Sequence, residues 1–88
     1  MITGQVLGSV WATRKVEALS GMKLMLVECP DSIDTSRLTT FVAVDFVGAG
    51  IGDSVVIAKG SSARKAIAMP DAPVDATIVG IIDEREER

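Results

Sequence analysis

Five short apolar segments, one short helical stretch before the last of them, and no other regular periodicity in 88 residues predict a mainly β fold. The element count and size fit a small five-stranded, OB-like β-barrel with one short helix. A chain of this length forms a single domain, residues 1–88, ending in the solvated charged run "EREER" at 84–88. Several strands are apolar on both faces. A lone barrel buries one face and wets the other, so the surplus predicts that neighbouring subunits cover part of the exterior.

The first strand reads from "ITGQVLGSVWATRK". Ile2, Val6, Val10 and Ala12, with Gly4 and Gly8 between them, form an apolar face at period two. Thr3, Gln5, Ser9 and Thr13 form a polar face, interrupted by Leu7 and Trp11 on either side of Ser9. A large apolar pair on a wet surface marks a contact. Ser20-Gly21 is a turn, and "MKLMLVEC" is the second strand, stopped by Pro30. Its faces are Met22, Leu24, Leu26 and Met25, Val27, Cys29, so both are apolar.

A polar loop, "PDSIDTSRLT", leads to the third strand, "TFVAVDFV", and the fourth is "DSVVIAKG". "GSSARKAIAM" starts a short helix with Ser61 or Ser62 as its N-cap and Pro70 beyond its end. The proline-punctuated "PDAPVD" connects it to the fifth strand, "ATIVGIID".

Hydrophobic residues make up 48% of the chain, more than so small a domain can hide alone. Membrane insertion is not the explanation. Lys23, Glu28, Asp45, Asp53 and Lys59 interrupt the apolar runs, none of which approaches the ~20 residues of a spanning helix. "MITGQVLGSV" has neither a basic start nor a continuous apolar stretch, so the expected location is the cytoplasm. Cys29 is the sole cysteine, which rules out an intrachain disulfide and suits a reducing compartment.

The net charge of −3 argues against a nucleic-acid partner, which would call for concentrated basic charge. Trp11, Phe41 and Phe46 are the only aromatics, too few for a base-stacking platform. Histidine is absent, which removes the commonest general acid/base and metal ligand. The expectation is no catalysis, no metal and no cofactor.

The run Gly48-Ala49-Gly50-Ile51-Gly52 poses the sharpest question, because glycine-rich loops cradle phosphates. A dinucleotide fingerprint is G-x-G-x-x-G opening a helix. Here the third glycine position holds Asp53, and the strand-like "SVVIA" follows. No Gly-Lys-Ser/Thr is present either. The run reads as a tight corner between strands, with Gly52-Asp53 as a turn pair.

Other constellations reduce similarly. Asp31 and Asp34 lack calcium-loop spacing, and Ser61-Ser62 has no histidine to activate it. Ser62 and Lys65 form a chance S-x-x-K, and Cys29 among apolar neighbours reads as a buried thiol. Asp45 is different. It sits in an apolar strand on the face opposite Val44 and Phe46, so it needs a partner unless it lies at an exposed edge. Arg64, or backbone N–H groups of a loop, within or between subunits, would meet it.

Taken in order, "GQVLGSVWATRK", "KLMLVE", "VAVDFVGAGIGDSVVIAKGSSARK" and "VDATIVGIID" resemble the EutN/CcmL family of bacterial microcompartment vertex proteins over almost the whole chain. The resemblance implies a pentameric ring of OB-like barrels that caps the vertices of a carboxysome or catabolic shell, with hexameric shell proteins as partners. By position, the family's corner falls on Asp45, Gly48, Ala49 and Gly50. Its second run falls on Gly60, Ser61, Ser62, Ala63 and Arg64, and its closing strand on Ile78 to Asp83. The latter two regions are expected to shape subunit contacts. Trp11 departs from the pattern, standing where a smaller residue is expected. The competing function is a monomeric OB-like module that binds a small ligand or nucleic acid, which would run as a monomer and respond to ligand.

Overall fold

The computed structural model describes residues 1–11 and 15–83. Its strands are β1 (Ile2–Val10), β2 (Lys23–Pro30), β3 (Leu38–Asp45), β4 (Ser54–Lys59) and β5 (Ala76–Ile82), with helix α1 (Ser61–Ala66) before β5. They close into a barrel in the order β1-β2-β3-β5-β4. Neighbours are antiparallel except β3 and β5, which run parallel through two pairs, Val44 with Thr77 and Asp45 with Ile78. The expected barrel and all five strands are present. The Ala12 to Arg14 end of the expected first strand and the tail at 84–88 lie outside the described residues.

The inner face of the barrel is lined by Val6, Met25, Val27, Ala43, Val55, Ile57, Ala76 and Ile78. Period two places Met25, Val27 and Cys29 inward, leaving Leu24 and Leu26 half-buried on the outside. A second cluster forms outside the barrel wall, where Val44 is covered by Ala63, Ala72 and Val74. This is one answer to the doubly apolar strands: α1 and its following connection shield part of the exterior within the protomer.

Two strands depart from strict alternation. In β1, Val6 pairs with Val27 but Gly8 pairs with Leu26, so Leu7 is an extra, bulged residue. The bulge reverses the parity beyond it. Ser9 now shares the face of Met25 at the open end of the barrel, exposed but donating its hydroxyl to Met25 Sδ at 3.8 Å, and Val10 shares the outer face of Leu24. The expected single apolar face through Val6 and Val10 is therefore wrong. In β5, Val79 is bulged in the same way between Ile78 and Gly80.

The helix also differs from expectation. It spans only Ser61–Ala66, and neither serine caps it: Gly60 occupies the N-cap, where a φ of 59° suits glycine, and no side chain bonds to the helix start. The third strand ends at Asp45, so Phe46 and Val47 belong to the corner that follows.

Gly4 is required by close approach. A Cβ there would stand 2.7 Å from the carbonyl oxygen of Glu28, a backbone atom with little room to yield. Gly8 on the same strand has open space around it. Gly4→Ala is expected to cost roughly 1–3 kcal/mol and Gly8→Ala less than about 0.5 kcal/mol. Urea unfolding at one fixed protomer concentration measures both.

Candidate functional site

Asp45 is the last residue of β3, points into the barrel and is 5% exposed. Its register partner on β2 is Lys23, and Lys23 Nζ lies 3.2 Å from Asp45 Oδ2. Oδ1 accepts the Val47 N–H at 3.0 Å, and Oδ2 accepts the Ala49 N–H at 2.8 Å. Lys23 Nζ also donates to the Ala49 carbonyl at 2.7 Å. The Ala49 peptide groups are thus gripped on both sides, and its methyl is fully buried in the barrel core. Of the two partners expected for Asp45, the loop N–H groups are the ones it meets in the protomer. Arg64 lies elsewhere.

The corner is tied down beyond Ala49 as well. Asp53 Oδ2 accepts the Gly50 N–H at 2.8 Å, the Gly52 N–H donates to Val6 O, and the Val6 N–H donates to Asp53 O. Gly48 and Gly52 hold φ of 86° and 90°, which glycine adopts at little cost. This is the geometry of a corner rather than of a phosphate loop. The N–H groups of Ala49, Gly50 and Gly52 are already committed, and the chain leaves the corner into β4, where a phosphate loop would open a helix.

The second run braces the other side of the seam between β3 and β5. The Gly60 N–H donates to Asp75 O at 2.8 Å, Ala63 O accepts the Thr77 hydroxyl at 3.0 Å, and Arg64 Nη1 donates to Val74 O at 2.9 Å. Ser61 and Ser62 are exposed. Leu7 and Trp11 are exposed too, and Trp11 at 92% lies open beside Lys15, Met22 and Leu24. No group of acidic or thiol side chains suited to a metal ion occurs among the described residues. Cys29 is buried and free, as its apolar neighbours predict.

Lys23 is the functional side chain that sequence reasoning missed. It was legible only as a charge interrupting an apolar run, because its role depends on the cross-strand register with Asp45. The buried carboxylate, with its two loop bonds, dominates the clamp. Lys23 is half-exposed, so solvent screens its contribution. Asp45→Ala leaves two loop N–H groups without their acceptor and is expected to cost about 3 kcal/mol; Lys23→Met is expected to cost about 1 kcal/mol or less. Thermal melts of both variants test the order.

In the β2–β3 loop, Asp31 accepts the N–H groups of Ile33 and Asp34, and Asp34 accepts the Ser36 N–H and hydroxyl. For Asp31 the Ile33 bond, then the Asp34 bond, holds the carboxyl below its ordinary value. For Asp34 the Ser36 hydroxyl leads and the Ser36 N–H follows. Depressed folded values mean that this stabilisation is present above the unfolded aspartate pKa and is lost as pH falls through the folded ones. Carboxyl NMR titration should therefore place both midpoints under about 3.9, the ordinary aspartate value.

This arrangement has close relatives. The carboxysome shell vertex protein CcmL of Synechocystis sp. is 45% identical over 83 residues, covering 94% of this chain and 83% of the relative. The shell vertex protein GrpN of Rhodospirillum rubrum is 42% identical over 86 residues, covering 98% of this chain and 97% of the relative. The solved structure described as the pentameric GrpN shell protein superposes with a TM-score of 0.77 at 40% identity, covering 100% of this chain and 99% of that one. A pentameric shell protein from the RMM microcompartment gives a TM-score of 0.79 at 32% identity, covering 100% and 96%. The family model described as "Ethanolamine utilisation protein EutN/carboxysome" matches residues 1–83, and this chain belongs to that family.

Proposed function

We propose that this chain is a structural shell protein whose pentamers cap the vertices of a bacterial microcompartment, within the cytoplasm and without catalysis. The observation that carries this is the full-length likeness to GrpN, a pentameric shell protein, in both sequence and barrel. The physics agrees. Hexagonal tiles pave a flat layer, and closing that layer into a polyhedron needs five-fold units at the corners. A five-fold ring needs a heterologous contact, one surface of a protomer against a different surface of the next.

Hexameric shell proteins are the second partner in this proposal. Of the residues singled out in the sequence, Gly60, Ala63 and Arg64 are occupied within the protomer. Exposed Ser61 and Ser62, with partly exposed Ile82, are among the side chains these regions offer to another chain, whereas Ile81 packs against the barrel core. Gly48, Gly50 and Ile51 ride on the clamped corner, which fixes how they are presented.

Native mass spectrometry of the purified chain should give a dominant five-subunit ion. Co-production with hexameric shell tiles should then yield closed particles by electron microscopy, and leaving this chain out should yield open sheets or tubes. A monomer that responds to ligand would instead favour a binding module.

A further inference from the structure

We draw no further inference here: the strongest candidate, the surface pocket at the end of β1 where exposed Trp11 stands beside Lys15, Met22, Lys23 and Leu24, carries none, because nothing in the structure shows what covers it.

Discussion

Closing a barrel from five short strands is the constraint on which the rest of this structure depends. Four of the five strand contacts are long antiparallel ladders, but the last, between β3 and β5, has two pairs only. Two pairs of parallel strand do little to hold a seam. The chain compensates on both flanks of it. The corner after β3 drops Ala49 into the core and locks its peptides with Asp45 and Lys23. Helix α1 covers the outer side and bonds to β5 through the Thr77 hydroxyl, with Arg64 holding the connection at Val74. The bulges at Leu7 and Val79 supply the extra twist that a small closed sheet needs.

The same constraint explains the composition. A barrel this small needs few inward residues, yet nearly half the chain is hydrophobic. The surplus divides into two parts. Val44, Ala63, Ala72 and Val74 form a second core between the wall and α1, satisfied within the protomer. Leu38, Val42, Phe46, Val47 and Ile51 stay exposed on β3 and the corner that continues it, as do Leu7, Trp11, Val16, Ile33 and Met69 elsewhere on the surface. An isolated protein gains nothing from that placement. For a chain that lives in an assembly, exposed apolar side chains of this kind supply driving force for association.

Much of this was legible in the sequence. Period two located all five strands, and Gly48-Ala49-Gly50 followed by a β-branched run identified a corner. An aspartate inside an apolar strand correctly demanded partners, and the loop N–H groups supplied them. What failed depended on register or on backbone detail. A bulge is one residue long and leaves no compositional mark, so Leu7 reversed the faces of β1 unannounced, and Val10 was placed on the wrong side. Serines before a helix look like caps, but the positive φ of Gly60 turns the chain without them. Lys23 and Asp45 are 22 positions apart, and only strand pairing brings them together.

The protomer's polar interior bears on what it does. Among the described residues, every buried side-chain nitrogen or oxygen has a hydrogen-bond partner. The buried carboxylate of Asp45, the kind of group that often serves chemistry, is spent on two loop amides and one ammonium. A carboxylate so engaged is poorly placed to move a proton or bind a ligand, and well placed to stop a corner from moving. Rigidity has a use in a protein that works by contact. Loose side chains and loops must be ordered when subunits meet, and that ordering subtracts from the association energy. By fixing Ala49 in the core, the clamp holds Phe46, Val47 and Ile51 in place before any neighbour arrives. The buried charge pair and the exposed apolar surface are therefore parts of one device, in which the interior is organised so that the outside can be matched.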